Sequence, residues 1–245
     1  MNGSGAEQEH ALAPSTSAAV DEHAPAPIAS ASVEDYLKAI YSLTRGTLET
    51  ASTSQLAERL GITAGSVSTM LKRMDASGLA EHVPYRGVRL TTTGRQLALG
   101  VVRRHRLIEL FLARSLDIPW EDVHRHAERL EHAVSDELIE LIARRLGDPV
   151  SDPHGDPIPS RALEVDERRV PRLSDLRGGE EAVIVRVSDT DPAMLRYLTE
   201  QRIGIGDRVR LIERQPFDGP CEVLVGERAH NLGLRLAQAI QVERV

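Results

Sequence analysis

Between positions 105 and 132 the chain brings four of its nine histidines together with three glutamates: His105, Glu109, His124, His126, Glu128, Glu131 and His132. Neutral imidazole and ionised carboxylate are donors that a divalent cation accepts. On a helix, residues three and four apart stand on adjacent turns, where such donors can meet at one point. At about 100° per residue, with His124 at zero, Glu128 lies at about +40°, Glu131 at about −20° and His132 at about +80°, while His126 lies at about 200° on the opposite side. His105 and Glu109 form a similar pair on an earlier helical segment. Two readings fit: a helix face that holds a metal ion, or a solvated face on which Glu and His recur by chance. This stretch alone leaves both open.

The totals bound the rest. A chain of 245 residues has room for one large domain or two small ones, and 41% hydrophobic residues are enough for packed cores, which must rest on Leu, Ile, Val and Ala because aromatics are only 3%. The net charge of −7 argues against a generic polyanion-binding surface, although one local face can still be basic. Cys221 is the single cysteine, so no internal disulfide and no cysteine-based zinc knuckle can form; a small semi-buried hydrophobe in a strand is its expected role rather than a reactive thiol. There is no apolar run long enough for a membrane span and no secretory leader, so the expectation is a soluble, cytoplasmic protein with no membrane partner. Residues 1–31 hold Glu7, Glu9, Asp21 and Glu22 but no Lys or Arg, and read as a disordered tail in which His10 and His23 are solvated.

Helices must position the His/Glu cluster. Ser32 can cap a helix with Glu34 and Asp35 in its first turn, and Tyr36, Leu37, Ile40, Tyr41 and Leu43 recur at helical spacing, predicting a helix of about 12 residues that ends near Arg45-Gly46. Asp35 is either a favourable charge at that helix start or a ligand. The run from Ser52 to Met74 reads as a short capped helix, a turn at Gly61-Ile62-Thr63 and a second helix. Leu56, Leu60, Ile62, Val67, Met70, Leu71 and Met74 would form its core, with Ser66, Ser68, Thr69, Lys72 and Arg73 outward. This is a helix-turn-helix, though helical hairpins in other settings imitate it. A hairpin around Arg86-Gly87 follows at once, completing a winged helix whose wing places Arg86 and Arg89 near a DNA backbone. Candidate DNA contacts are Ser54, Thr63, Ser66, Ser68, Thr69, Lys72, Arg73, Arg86 and Arg89. Over residues 32–96, eight Lys and Arg face six Asp and Glu, so the acidity lies elsewhere.

A long helix is predicted from Thr92-Thr93-Gly94 to about Leu116, and a further one from about Glu121 to Leu146. Leu130, Val134, Leu138, Leu141 and Ile142 give the latter a stripe wider than one winged helix can cover, which predicts a homodimer presenting two reading heads to palindromic double-stranded operator DNA. Residues 148–175 are a proline-rich linker. Beyond them, strands at Glu181–Val187, Arg208–Glu213, Cys221–Val225 and Ala239–Val242, with a helical turn at Pro192–Thr199, read as a small β-barrel without a motif for chemistry. The fold class is therefore α+β, in the order tail (1–31), winged helix-turn-helix (32–96), helical dimerisation and metal-binding domain (97–147), linker (148–175) and small barrel (176–245).

With these parts in line, the chain resembles the DtxR/MntR family of metal-dependent transcriptional repressors over about residues 33–243. The resemblance rests on the run Glu34 to Tyr41, Gln55 to Leu60, Val67-Ser68 with Arg73-Met74, Gly78-Leu79, Leu90-Thr91 with Thr93-Gly94, Arg104 to Leu107 with Glu109, Val123-His124, Glu131-His132 with Ser135-Asp136, and Gly155 to Pro159. The barrel looks like the FeoA-like, SH3-like domain of longer members. The resemblance implies a dimer with a main metal site at Asp35, Glu128, Glu131 and His132, and a second at His105, Glu109 and His124 to which the barrel adds Asp191; Met194 stands where a second barrel ligand is expected. Iron-responsive relatives use sulfur ligands where Asp35 and Glu128 stand here, so hard carboxylates favour Mn²⁺, with Fe²⁺ the alternative. Manganese-responsive relatives carry a third acid where this chain has Lys38, which is expected to pair with Asp35 before metal arrives.

The expected function is an Mn²⁺-activated DNA-binding repressor of metal-uptake genes. Without metal, Asp35, Glu128 and Glu131 would repel one another and leave the first helix free; a cation would clamp it to the dimer helices. The rivals are the same architecture sensing Fe²⁺, a winged-helix regulator that uses this stretch only to dimerise, and a metalloenzyme. The last lacks a nucleophile beside the cluster, and the chain is expected not to be an enzyme.

Overall fold

A computed structural model describes Met1 and residues 30–44, 49–166 and 168–245. The expected tail with His10 and His23, and the expected helix end at Arg45-Gly46, lie outside the described residues.

The winged domain is built by local capping. Helix α1 (Ala31–Thr44) buries Leu37 and Ile40. Helix α2 (Thr53–Leu60) starts on a reciprocal cap in which the Ser52 side chain accepts from the Gln55 amide and Gln55 accepts from the Ser52 amide. It ends at Gly61, left-handed at φ 66°. Thr63 then caps helix α3 (Ala64–Ala76), whose inner face is Val67, Leu71 and Met74. Strands β1 (Ala80–Val83) and β2 (Gly87–Leu90) pair antiparallel as the wing.

Helix α4 (Thr92–Leu116) serves two cores: Ala98, Leu99 and Val102 pack into the winged domain, while Leu107, Ile108 and Leu112 pack with Val123, Ala127 and Ile139 further along. The helix expected from Glu121 to Leu146 is two helices, α5 (Trp120–Leu130) and α6 (Asp136–Arg145). Ser135 is extended at φ −71°, ψ 152°, and its side chain accepts from the Leu138 amide, starting a new helix above Asp136 and Glu137. Glu131, the C-cap of α5, keeps a helical backbone and bonds its amide to the Ala127 carbonyl at 2.9 Å, so the single-helix reading holds to that residue and fails beyond it, from His132 in the turn to the extended Ser135.

The C-terminal domain is one antiparallel sheet in the order β6-β5-β4-β3-β7, from β3 (Glu181–Val187), β4 (Arg208–Arg214), β5 (Cys221–Val225), β6 (Arg228–Leu232) and β7 (Ile240–Arg244). Helices α7 (Pro192–Gln201) and α8 (Leu234–Ala239) complete it. Strand β6 was not expected, and Ala239 closes α8 instead of opening a strand. Cys221 is fully buried in this core. Among the described residues no helix is long and apolar enough to cross a membrane.

Candidate metal centre and nucleic-acid interface

The His/Glu cluster closes where α1, α4 and the end of α5 meet. On α4, His105 and Glu109 point inward and are 6% and 1% exposed. His105 Nε2 lies 2.9 Å from Glu109 Oε1, and His124 Nδ1 on α5 lies 3.1 Å from both that oxygen and His105 Nε2. Two imidazole nitrogens and one carboxylate oxygen thus converge. A second convergence forms beside it: His132 Nε2 lies 2.9 Å from Asp35 Oδ1 on α1 and 3.4 Å from Glu131 Oε1. Within each group the donor atoms fall inside 4.8 Å of one another, close enough for one divalent cation to reach all three.

The two convergences are joined by Lys38. Its ammonium lies 2.7 Å from Glu128 Oε1, 2.5 Å from Glu131 Oε1 and 3.5 Å from His105 Nδ1, while His105 Nδ1 also bonds Glu131 Oε2. The expected Lys38–Asp35 pair is replaced by this bridge. Asp35 pairs with His132, whose Nδ1 in turn lies 2.6 Å from Glu34 Oε2, with Arg104 holding the other Glu34 oxygen at 2.8 Å. The carboxylates are therefore compensated rather than left to repel one another, because Lys38, His105 and His132 interleave with them. Helical spacing could not show this: Lys38 reaches Glu128 across 90 positions of sequence.

Burial disfavours the charged form of every group here, and the neighbours decide the outcome. Burial pulls His105 down, but Glu109 and Glu131 outweigh it and raise it to about 9. Burial pushes Glu109 and Glu131 up, yet His105 beside both, with His124 and His154 at Glu109 and Lys38 at Glu131, holds them below the usual carboxylate range. For Lys38, Glu131 and Glu128 overcome burial and hold the ammonium above its ordinary value. His132 is raised against burial by Glu34, Glu131 and Asp35.

On the barrel side, the carboxylate that lies nearest the cluster is not the one expected to reach it. Asp191 caps α7, its carboxylate accepting from the Ala193 amide at 3.0 Å. Asp189 instead reaches the cluster, 3.3 Å from His124 Nδ1, and groups with Glu109 and His154. His154 comes from the segment read as a linker and is fully buried. Its Nε2 donates to the Trp120 carbonyl at 2.8 Å, leaving Nδ1 without a hydrogen bond and 3.7 Å from Glu109 Oε2. Burial lowers its pKa, but Glu109, Asp152 and Asp189 raise it to about 9. Burial and the adjacent Asp156 push Asp152 to about 8. A buried, unpartnered imidazole nitrogen aimed between two carboxylates fits a metal ligand. No periodicity marked His154 or Asp189, since each reaches the site from an irregular segment. Met194, which stood where a second barrel ligand was expected, packs against the apolar core of the C-terminal domain.

On α3, Ser66, Ser68, Thr69, Lys72 and Arg73 are all exposed, as are Thr63 at its cap and Ser54 on α2. The Ser68 and Thr69 hydroxyls donate back to the Ala64 and Gly65 carbonyls at 2.9 and 3.1 Å, leaving oxygen lone pairs outward. Arg86 is exposed on the wing, whereas Arg89 is held by Glu81 opposite it, Nε to Oε2 at 2.9 Å. A cleft of about 690 Å³ runs between α1 and α3 and is lined by Asp35 at one side and Ser66, Thr69 and Arg73 at the other. Asp35 of the His/carboxylate cluster and the exposed hydroxyl and basic side chains of α3 thus line one cleft.

A winged helix-turn-helix whose first helix also contributes to a buried His/carboxylate cluster defines a metal-responsive DNA-binding regulator. Residues 29–88 match the iron dependent repressor N-terminal DNA binding domain, 91–160 the iron dependent repressor metal binding and dimerisation domain, and 172–244 the FeoA domain. The chain is 33% identical over 221 residues to the iron-dependent repressor IdeR of Mycobacterium tuberculosis, covering 86% of this chain and 96% of that protein. It is 32% identical over 225 residues to the diphtheria toxin repressor of Corynebacterium glutamicum, covering 86% and 95%. Among solved structures, a manganese-dependent transcriptional repressor in complex with manganese is 40% identical, with a TM-score of 0.82 and coverage of 87% and 100%. The manganese regulator SloR is 33% identical, with a TM-score of 0.74 and coverage of 87% and 98%. The chain belongs to the DtxR/MntR family, and it is a metal-dependent transcriptional repressor, not an enzyme.

Proposed function

We propose that this repressor is activated by Mn²⁺ and, as a homodimer, closes on operator DNA of metal-uptake genes in the cytoplasm. The observation that carries this reading is the donor set: Asp35, Glu131 and His132 in one group, His105, Glu109 and His124 in the next, with oxygen and imidazole throughout and no sulfur. Such a set suits Mn²⁺ better than metals that gain from thiolate or thioether. Glu128 belongs with the first group once Lys38 releases it, and Asp189 and His154 extend the second. A bound cation supplies the positive charge that lets carboxylates from different helices stay close in a buried site.

Asp35 is the coupling residue, because among the α1 side chains that meet the cluster, Glu34, Asp35 and Lys38, it alone also lines the cleft against α3. Drawing Asp35 toward Glu131 and His132 fixes α1, and through α1 the pose of α3. The dimer reading is supported by Leu130, Leu138 and Leu141, which are 40%, 46% and 49% exposed along α5 and α6. Two copies would present two α3 helices to successive major grooves. A coupling of roughly 1–3 kcal/mol changes operator affinity about 5–150-fold.

Fe²⁺ is the second reading, supported by the relatives named as iron-dependent repressors. Retention of genomic DNA fragments by the purified protein with chelator, with Mn²⁺ and with Fe²⁺ under anaerobic conditions, at buffered free metal, separates the two. Retention at lower free Mn²⁺ than Fe²⁺ is expected; the reverse order selects iron. Retention indifferent to chelator would show that the cluster is not the switch. Asp35→Ala should remove the metal response and leave the fold intact.

A further inference from the structure

Tyr85 stands at the tip of the wing between β1 and β2, fully exposed and with a left-handed backbone, φ 63°. Each feature is costly by itself. A large aromatic ring left in water forgoes the burial that normally justifies it, and a bulky residue at positive φ is a steric outlier where Gly or Asn would sit freely. Such outliers cluster at ligand clamps and switch segments; Phe217 in the turn between β4 and β5 shares both features at φ 59°, but of the two only Tyr85 stands beside the exposed hydroxyl and basic side chains of the winged domain.

The wing that carries Tyr85 is firmly seated. Ala51 and Val88 exchange backbone hydrogen bonds at 2.8 and 2.9 Å, and Thr50 Oγ1 donates to the Arg86 carbonyl at 2.7 Å. Gly87 comes so close to this segment that a Cβ would stand 2.2 Å from the Ala51 carbonyl oxygen. Tyr85 is therefore presented from a turn tied to the segment that leads into α2, where Ser54 is exposed, and beside the exposed Arg86. These neighbours belong to the surface assigned to DNA.

We propose that Tyr85 is a DNA contact of this repressor, its ring packing on a deoxyribose and its hydroxyl donating to a phosphate of the backbone beside the major groove that α3 enters. The phenol suits that boundary, with an apolar body for the sugar and a polar tip for the phosphate. The contact rests on the DNA-binding role of the winged domain. It adds a neutral contact to the ionic ones from Lys72, Arg73 and Arg86, and neutral contacts release no counterions.

The test compares full-length protein with Tyr85→Gly, Tyr85→Phe and Arg86→Ala at saturating Mn²⁺, on a genomic fragment that the unsubstituted protein retains, over a range of salt. Y85G should lower affinity about tenfold while the slope of log affinity against log salt stays that of the parent, and its melting temperature should fall no lower, since Gly accepts the left-handed backbone. Y85F should fall between the two. R86A should instead reduce the slope by roughly one. Undiminished affinity in Y85G would overturn the contact alone; a changed slope in Y85G would mean that the wing had moved and overturn it too. A loss confined to loading a second dimer on the same fragment would place Tyr85 against protein and overturn the DNA contact. If the unsubstituted protein retains no fragment with Mn²⁺, the DNA-binding role fails and this contact fails with it.

Discussion

The Lys38 ammonium and the Glu131 carboxylate lie 2.5 Å apart, with Glu131 fully buried. Lys38 also touches Glu128 and His105, so this one side chain stands among the three residues of a potential cation group. It acts as a tethered cation inside the cluster. Replacing it by an apolar residue of similar length leaves Glu131 with His105 as its main partner. Lys38→Met is expected to destabilise the metal-free protein by about 3 kcal/mol, the scale for removing one partner of a buried ion pair. With saturating Mn²⁺ the gap to the parent should narrow, because the variant has no resident ammonium for the cation to displace and so binds it more tightly, each tenfold in Kd adding about 1.4 kcal/mol. Thermal melts with chelator and with Mn²⁺ read both; equal losses in the two would show that Lys38 does not stand where metal charge acts.

Metal binding should release protons. His105 and His154 have folded values of about 9 against an ordinary 6.5, so the stability that their charged forms add to the metal-free protein is complete below about 6.5 and is lost as pH rises toward 9. Glu109 and Glu131 are depressed, so their contribution is present above about 4.5 and is lost as pH falls through their lowered values. Metal needs neutral imidazole. Mn²⁺ affinity should therefore climb from pH 6 to about pH 9, and calorimetry in buffers of different ionisation heat should show net proton release near pH 7. Affinity that is flat over that range would contradict the ligand roles of both histidines.

Asp189 and Asp191 separate by substitution. Asp189→Ala removes a carboxylate 3.3 Å from His124 and should raise the free Mn²⁺ needed for DNA retention. Asp191→Ala removes the α7 cap and should cost about 1 kcal/mol of stability with the metal response unchanged. Trp120, the chain's one tryptophan, stacks on His154 at 5.9 Å, so its fluorescence reports whether metal reaches that histidine.

Lys72 and Arg73 are exposed on α3 and should act through phosphate charge. Lys72→Ala is expected to weaken operator and non-operator DNA alike and to reduce the salt slope by about one, without altering the free Mn²⁺ at half-response. A loss restricted to the operator would make Lys72 a base-reading residue.

Local signals marked most elements. Ser52 with Gln55, Thr63 and Gly61 delimit α2 and α3 because caps and left-handed ends are short-range chemistry. Ser135-Asp136-Glu137 was an equally plain start signal, and extending the apolar stripe through it produced the one helix that the structure divides. The helical wheel drawn from His124 held for Glu131, which groups with Glu128, but not for His132: His124 converges with His105 and Glu109, and His132 with Asp35.

The winged helix-turn-helix, the outward hydroxyls of α3 and the gathering of carboxylate and imidazole side chains were legible in the sequence alone, because each rests on residue type and on spacing within a few turns. The tertiary structure decided the partners. That Lys38 bridges Glu128 and Glu131, that Asp189 and not Asp191 meets His124, and that His154 turns an unpartnered nitrogen into the cluster all depend on α1, α4, α5 and an irregular loop meeting in space. Charges buried together must be compensated from whichever elements happen to face them, and separation along the chain carries no record of that meeting.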